Sequence, residues 1–403
     1  MHILYISSVC SQSRFERLVA EKVITSQFQN QKFHHLLLTG LRSATEDDIK
    51  VISYYPADRV GRKVRPYDTD TENGIEYIYP KLTDIPVIHH LSKFFGTLRQ
   101  LRKHYRKGDT IVCNIMNFDE CRAALWFRRF HPVKVCAIVA DVPGLTSGSS
   151  KERDAKWKRL LTNLAAPFYR SANNKYDGYL FLTEAMNAVV NTKGKPFVVM
   201  EGIADNRMQS VENSLEGKNQ KTTILYAGGL HREYGIQLLV EAFKRIDTPD
   251  AELHIYGKGN YVPELEKAAV ADARIKYFGT RSNQEIVAEQ VKAHILVNPR
   301  PTKEAFVKYS FPSKIMECMA SGTPLLTTRI PGMPKDYYPY IYCIDEETVE
   351  GVQEALQKLL DKPVEELHQK GREAKQFILA EKNTDAQGRK LQGLIERVNA
   401  NRD

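Results

Sequence analysis

Short apolar runs alternate with amphipathic stretches along most of this 403-residue chain. In the C-terminal half each apolar run is followed by a helical pattern: TTILYAGG by GIQLLVEAFKRI, AELHIYGKG by YVPELEKAAVAD, and IKYFGT by SNQEIVAEQVKA. The series continues with HILVNPRP, TPLLTT and YIYCI. Buried parallel strands are continuous apolar runs, and the helices between them have a period of 3.6 residues. The pattern predicts a doubly wound α/β sheet of roughly six strands.

The N-terminal half shows the same alternation less regularly. It begins with HILYISS and continues through HHLLLTG, TIVCNIMN, VKVCAIVADVPG and DGYLFLTE. A polar segment at 205–221, DNRMQSVENSLEGKNQK, separates the halves and is typical of a linker. We therefore predict two Rossmann-like domains, at 1–204 and 222–380. The polar helical pattern at 381–403 is long enough to reach back toward the first domain.

Composition narrows the class of protein. Hydrophobic residues make up 42% and charged residues 27% of the chain, as in ordinary globular domains. The chain contains no run of 18 apolar residues and no basic leader at its N-terminus, so we predict neither a membrane span nor a secretory signal. The six cysteines form no C-x-x-C pair, which favours reduced, buried thiols in a cytoplasmic protein without a cysteine metal site.

The net charge of +9 is compatible with an anionic partner. Lys81–Gly108 carries seven Lys or Arg against one acid, and Lys151–Lys175 carries seven against two. Apolar residues at near-helical spacing among these bases are typical of a helix on an anionic membrane, although a solvated basic face over an ordinary core has the same composition. The sequence has no RNA-binding signature, so we expect no nucleic-acid partner.

Ligands of an open α/β sheet bind at the carboxyl ends of its strands, which makes the residues after each strand the candidates. Gly228 and Gly229 would let backbone N–H groups approach an anion, but an ordinary tight turn would also use them. Gly257 would let a flat group such as a nucleobase pass closely. Arg281 follows the third strand, and two prolines hold Arg300 in a rigid turn after the fourth.

The segment Tyr309–Pro324, YSFPSKIMECMASGTP, combines a helix N-terminus with two unexpected charges. Pro312 suits the first helical position, where its missing N–H would be unpaired anyway. Lys314 and Glu317 lie one turn apart, and an intrahelical pair between them would be worth only about 0.2–0.5 kcal/mol. A sugar nucleotide would use both charges, with the diphosphate at the lysine and the helix N–H groups and a ribose diol at the carboxylate.

Four segments occur in order and at suitable spacing: AGGLHREYGIQLLVEAF, HIYGKG, IKYFGT, and KIMECMASGTPLLTT with PGMP after it. Together they resemble the nucleotide-sugar domain of the GT-B glycosyltransferases of family four, which are retaining enzymes. The resemblance implies two Rossmann-like domains facing a cleft and sugar transfer from a nucleotide diphosphate sugar, with UDP-sugar as the expected donor. SFPSK and ECMASGTP resemble a bacterial subgroup of capsule, exopolysaccharide and O-antigen assembly, which implies a glycan or lipid-linked acceptor.

The resemblance also implies roles for individual residues. Glu317 matches the ribose-binding second glutamate of a motif in which seven residues separate two glutamates. Tyr309 stands in place of the first glutamate, which holds the transferred sugar in the family. Ser310 and Phe311 match positions whose backbone N–H groups meet the diphosphate, and Ser313 is a further candidate for donor binding.

The loop after the first strand departs from the family. Gly229 and Tyr234 stand where the family has an arginine and a lysine that bind phosphate. We therefore expect Arg232 and Lys314 to supply the charge and, with helix N–H groups, to stabilise the leaving group without a metal ion or cofactor. We expect the only Asp-x-Asp motif, DTD, to lie in a polar loop of the N-terminal half. Asp141 could orient or deprotonate the acceptor hydroxyl, although Asp-Val-Pro-Gly is also ordinary turn chemistry.

Two other functions fit the same residues. A GT-B nucleotide-sugar epimerase would turn over its donor without an acceptor. A non-catalytic nucleotide-sugar-binding protein of transferase descent would tolerate the missing glutamate and the missing first-loop cations. For each of these three functions, transferase included, we expect a cytoplasmic protein. The basic stretches could hold it at the inner face of the cytoplasmic membrane.

Overall fold

The computed structural model describes residues 2–400 except 25–26, 56–63, 84, 86–87, 143–173 and 305. The chain divides into two compact units. The first contains Met1–Ile203 together with Thr384–Asp403, and the second contains Ala204–Asn383. Most of the predicted basic stretch Lys151–Lys175 lies outside the described residues.

The described part of the first unit contains ten strands, eight of which form one sheet. The strands are β1 (His2–Ser7), β2 (Asp48–Ser53), β3 (Val64–Arg65), β4 (Asp68–Glu72), β5 (Ile75–Tyr79), β6 (Leu82–Thr83), β7 (Thr110–Asn114), β8 (Lys134–Val139), β9 (Gly178–Phe181) and β10 (Phe197–Val199). The sheet has the order β10-β9-β8-β7-β1-β2-β5-β4, and its only antiparallel pairing in the described residues is that of β4 with β5. All six residues of β1 are buried, as expected for a strand covered on both faces.

Helices connect these strands. They are α1 (Gln12–Ala20), α2 (Phe28–Ala44), α3 (Ile88–His104), α4 (Phe118–Phe127) and α5 (Glu184–Val190). The predicted basic stretch Lys81–Gly108 contains α3. In the described residues, no helix is both long enough and apolar enough to cross a membrane.

The second unit contains six strands and six α-helices in its described residues. The strands are β11 (Thr222–Gly229), β12 (Ala251–Lys258), β13 (Ile275–Tyr277), β14 (Ile295–Asn298), β15 (Leu325–Thr328) and β16 (Tyr342–Ile344). The helices are α6 (Ile236–Phe243), α7 (Val262–Ala271), α8 (Asn283–Lys292), α9 (Ser313–Ser321), α10 (Val349–Leu360) and α11 (Val364–Glu381). All pairings are parallel, in the order β13-β12-β11-β14-β15-β16. The predicted fold class, two doubly wound α/β domains, is confirmed.

The polar segment 205–221, which the sequence predicts to be a linker, lies in the second unit and packs on it. Asn213 Nδ2 donates to the Ser321 carbonyl and the Thr323 hydroxyl, at 2.9 Å each. Lys218 Nζ donates to the carbonyls of Val291 and Ala293. The segment is therefore held by its polar side chains, which a hydrophobicity pattern does not detect.

The last helix, α12 (Thr384–Ala400), belongs to the first unit and crosses α2 closely. The crossing is made by two glycines. A Cβ at Gly388 would lie 2.0 Å from backbone atoms of Gly40, and a Cβ at Gly40 would lie 2.0 Å from the Thr384 carbonyl oxygen. Because the backbones of the two helices touch at these glycines, apolar residues of α12 reach the core of the first unit, among them Leu391 and Leu394.

Replacing Gly388 with alanine should destabilise the first unit, because overpacking at such a contact costs about 1–3 kcal/mol. Gly393→Ala on the same helix is the matched control, since a Cβ there has no neighbour within 4 Å in the described chain. That change should be neutral or stabilise by up to about 1 kcal/mol. Thermal unfolding followed by circular dichroism compares the variants, and equal melting temperatures would contradict the close crossing.

The DTD motif is part of the edge strand β4, not of a loop, and both of its carboxylates bind one arginine. Arg14 Nε lies 2.6 Å from an Asp70 oxygen, and Arg14 Nη2 lies 2.6 Å from an Asp68 oxygen. The Arg14 guanidinium also lies over the ring of Tyr79, 4.3 Å from its centroid. Hydrogen bonding to Arg14 lowers the pKa of Asp70 from 3.8 to about 2.

Stability in acid should therefore depend on Asp70. The pKa of Asp70 is lower in the folded than in the unfolded protein. Its contribution to the free energy of unfolding is therefore complete above about pH 4 and is lost as the pH falls toward about 2. In Asp70→Asn this part of the pH dependence should disappear. Urea unfolding at neutral pH and at about pH 3 measures it, and an identical loss of stability in both proteins would refute the assignment.

Candidate functional site

The order of the second sheet reverses at β11 and β14. The chain proceeds from β11 to β12 and β13 on one side, and from β14 to β15 and β16 on the other. In doubly wound sheets, ligands bind in the crevice at such a switch point, outside the carboxyl ends of the strands. Here β11 ends in Gly228 and Gly229, and the chain beyond β14 reaches Arg300.

Lys314, the second residue of α9, lies directly over the end of β11. A Cβ at Gly228 would lie 1.5 Å from Lys314 Nζ, so a side chain there would displace the ammonium group from this position. The same nitrogen lies 5.0 Å from the centroid of the Tyr226 ring, within the range of a cation–π contact. Burial, and to a lesser degree the nearby charge of Arg300, lowers the pKa of Lys314.

Arg300 lies at the same place and is half-buried. Its Nη2 donates to the Ser310 hydroxyl at 3.2 Å. Its guanidinium carbon lies 5.9 Å from the ring centroid of Tyr234 and 6.0 Å from that of Phe306. Burial lowers the pKa of this arginine as well. Within the described part of the chain, neither Arg300 nor Lys314 has a carboxylate oxygen within 4 Å.

Gly257 meets Gly228 across the sheet, where β12 pairs with β11. Its φ angle is +135°, and a Cβ on it would lie 1.8 Å from the Gly228 carbonyl oxygen. Only glycine combines this backbone conformation with this contact. The predicted close approach at Gly257 is therefore toward a neighbouring strand, at the rim of the same crevice.

The segment before α9 differs in detail from the sequence expectation. Pro312 is the N-cap and Ser313, which is exposed, is the first helical residue. The backbone N–H of Ser310 donates to the Val307 carbonyl at 3.1 Å, so it is engaged in the preceding turn and does not point to a ligand. Tyr309 closes that turn and is buried, and the side chain of Phe311 packs on Tyr337 in the core.

Glu317 is one turn beyond Lys314 and is half-buried, whereas the apolar face of α9 is fully buried. The intrahelical ion pair considered from the sequence does not form, because Lys314 extends over Gly228 instead. Lysine and glutamate therefore lie on the accessible side of one helix, and the charge of Glu317 opposes the lowering of the Lys314 pKa by burial.

Arg232 is not brought to Lys314. Its guanidinium donates to Glu264 at 2.7 Å and to Gln237 at 2.5 Å, and it lies over the ring of Tyr261. These residues line a groove of about 300 Å³ between α6 and α7. The expected role of Arg232 beside Lys314 stays a prediction, and in the structure this arginine is paired with a carboxylate on α7.

Arg281 follows β13 and is exposed. It borders a second recess of about 260 Å³, in which the rings of Tyr256 and Phe278 stack with centroids 4.9 Å apart. In the first unit, Asp141 comes two residues after β8, at the carboxyl end of that strand, and is half-buried. The chain that follows it, from 143 to 173, lies outside the described residues.

Sequence reasoning noticed Arg300 in its proline turn but gave it no role. The signal that would have identified it is the strand order, because Arg300 becomes a neighbour of Gly228 only when β14 pairs with β11. Apolar runs predict strands but not which of them are adjacent.

Residues 221–362 match the family described as Glycosyl transferases group 1. The "Putative colanic acid biosynthesis glycosyl transferase WcaI" of Escherichia coli K12 is 22% identical over 221 residues, which are 49% of this chain and 53% of that protein. The match thus spans about half the length of this relative.

Solved structures are similar over almost the whole chain. A sucrose-phosphate synthase from Thermosynechococcus elongatus has a TM-score of 0.68 at 15% identity, with 99% of each chain covered. An E. coli structure described as "Trehalose-6-phosphate" bound with UDP-2-fluoro glucose has a TM-score of 0.67 at 10% identity, again with 99% of each chain covered. At this identity the likeness establishes the fold, which is GT-B.

Proposed function

We propose that this chain, a GT-B protein whose residues 221–362 form a Glycosyl transferases group 1 domain, is a glycosyltransferase. It moves a sugar from a nucleotide diphosphate sugar to a hydroxyl of a glycan or lipid-linked glycan. The observation that carries the proposal is the crevice at the switch point of the second sheet, where Lys314 lies over Gly228 and no carboxylate of the described chain approaches its Nζ within 4 Å. A diphosphate is the anion that suits this position.

The donor would lie along the start of α9. Lys314 and the N-terminal end of the helix would hold the diphosphate. They would also stabilise the charge that develops on it as the bond between the sugar and the diphosphate breaks, without a metal ion. Glu317 would accept hydrogen bonds from the ribose hydroxyls one turn further on. Tyr309 and Ser313 border the same segment, and the base would lie toward Gly257 and Arg281.

UDP-sugar is the donor that we propose, supported by the similar structure bound with UDP-2-fluoro glucose. Retention of the anomeric configuration follows from the resemblance to family four. Asp141, at the carboxyl end of β8, would orient the acceptor hydroxyl. A role in bacterial surface polysaccharide synthesis is supported by the name of the E. coli relative, which refers to colanic acid biosynthesis.

Thermal-shift measurements against UDP-, GDP- and ADP-sugars should identify one class that raises the melting temperature. A ligand at about 100 times its dissociation constant stabilises by roughly 2.7 kcal/mol. Glu317→Gln should weaken this ligand about tenfold, because a charged acceptor of two ribose hydroxyls is lost. Glu354→Gln, which changes an exposed glutamate of α10, is the matched control. Absence of a shift with every nucleotide sugar would refute the proposal.

Product analysis with the donor so identified separates the alternatives. A transferase consumes the donor only with an acceptor and retains the anomeric configuration, and its activity should persist in EDTA. Turnover without an acceptor would indicate an epimerase. Binding without turnover across a panel of lipid-linked and free glycans would favour a non-catalytic binding protein.

We also propose contact with an anionic membrane through one surface of the first unit. The outer stripe of α3 runs from apolar to basic: Ile88, Leu91 and Phe95, then Arg99 and Arg102. Leu91 is 52% and Phe95 61% exposed, high values for side chains of this kind.

The neighbouring helix α4 extends this surface. Arg102 lies over the ring of Trp126, 5.7 Å from its centroid, and Phe130, just after α4, is 66% exposed. Exposed apolar groups beside arginines suit insertion into the headgroup region of an anionic bilayer.

Flotation with liposomes that contain anionic lipid at low salt should recover the protein. Arg99→Glu should weaken the association about tenfold or more, because each basic residue near an anionic surface contributes about 1 kcal/mol. Lys193→Glu reverses an exposed charge elsewhere on the first unit and should have little effect. Phe95→Ser removes an exposed apolar side chain of the same surface and should likewise weaken the association with the liposomes. Failure of the wild-type protein to float would leave α3 as an ordinary solvated face.

A further inference from the structure

Arg300 and Lys314 form a pair of cations at the switch point of the second sheet. Arg300 comes from the end of β14 and Lys314 from the start of α9, which follows it in the chain. Lys314 Nζ lies over Gly228, and Arg300 lies against the ring of Tyr234, which packs on the adjacent Gly229. Hence both charges face the same crevice from different elements.

This arrangement is costly in the absence of an anion. Both side chains are half-buried, and like charges at the same crevice disfavour one another. In the described residues no carboxylate oxygen lies within 4 Å of either, whereas Arg232, after β11, has Glu264. A pair of partly desolvated cations with no carboxylate in direct contact is the arrangement that a polyanionic ligand would stabilise.

Contacts with neighbouring side chains hold the Arg300 side chain in one orientation. Its Nη2 donates to Ser310, and aromatic rings lie on its flanks, one of them Tyr234. Tyr234 stands where the family resemblance would put a phosphate-binding lysine, and Gly229 stands where it would put the arginine. In this chain the tyrosine packs beside an arginine that reaches the crevice from β14.

We propose that Arg300 is a diphosphate-binding residue of the donor site and that, together with Lys314, it supplies the charge that Gly229 and Tyr234 lack. The inference rests on the proposed function, since it identifies which side chains hold the donor. Guanidinium offers planar, paired N–H donors that match phosphate oxygens, and the lysine adds a point charge. Arg232, neutralised by Glu264, does not take this role.

Isothermal titration of the whole chain with UDP and with uridine tests the assignment. Arg300→Gln should weaken UDP binding about tenfold or more, as expected for the loss of a charged hydrogen bond, and should leave uridine binding within about twofold. Arg300→Lys should recover part of the affinity. Arg329→Gln removes an arginine paired with Asp345 and serves as the control. Arg232→Gln should weaken UDP binding by less than about threefold.

The unliganded variants provide a check on folding. Because Arg300→Gln removes one member of a repelling pair, its melting temperature without ligand should equal or exceed that of the wild type. Unchanged UDP affinity in Arg300→Gln would overturn the inference and leave the proposed function intact. If UDP, GDP and ADP all fail to bind the wild type, while inorganic pyrophosphate binds and depends on Arg300, the proposed function fails and the anion site stands. If the wild-type protein binds neither a nucleotide nor pyrophosphate, both the proposed function and the inference about Arg300 are refuted.

Discussion

The parallel pairing of β11 with β14 is the constraint on which the chemistry of the second unit depends. It is formed between strands that lie far apart in the chain, and it brings the glycine end of one beside the proline turn of the other. Without it, Arg300 and Gly228 would belong to different edges of the sheet. Because the chain leaves these two strands toward opposite sides of the sheet, a crevice forms at their carboxyl ends, and the start of α9 lies there.

The two units treat buried positive charge in opposite ways. In the first, Arg14 is almost fully buried and is neutralised by two carboxylates of β4. In the second, Arg300 and Lys314 are only half-buried, and no carboxylate of the described chain is within 4 Å of them. The first arrangement is structural and stabilises an edge strand. The second arrangement is the one that we propose a bound diphosphate to stabilise.

The sequence predicted the fold class because apolar runs and helical periods follow from burial in a layered α/β structure. The six strands of the second unit were visible in this way. The segment 205–221 was predicted to be a linker from its polar composition, whereas polar side chains in it, such as Asn213, bind backbone carbonyls of the second unit. At the site, Lys314 was recognised from its helix, but Arg232 was chosen over Arg300 because neighbours in sequence were taken as neighbours in space.

The close crossing of α2 by α12 has a consequence for the order in which the chain acquires structure during synthesis. The second unit is inserted between two parts of the first, since the chain leaves the first unit after Ile203 and returns to it at Thr384. All of the second unit therefore emerges from the ribosome before α12 does, and domains generally fold as units during synthesis. The inserted unit can complete its core first, while the face of α2 around Gly40 stays uncovered until the last helix is made.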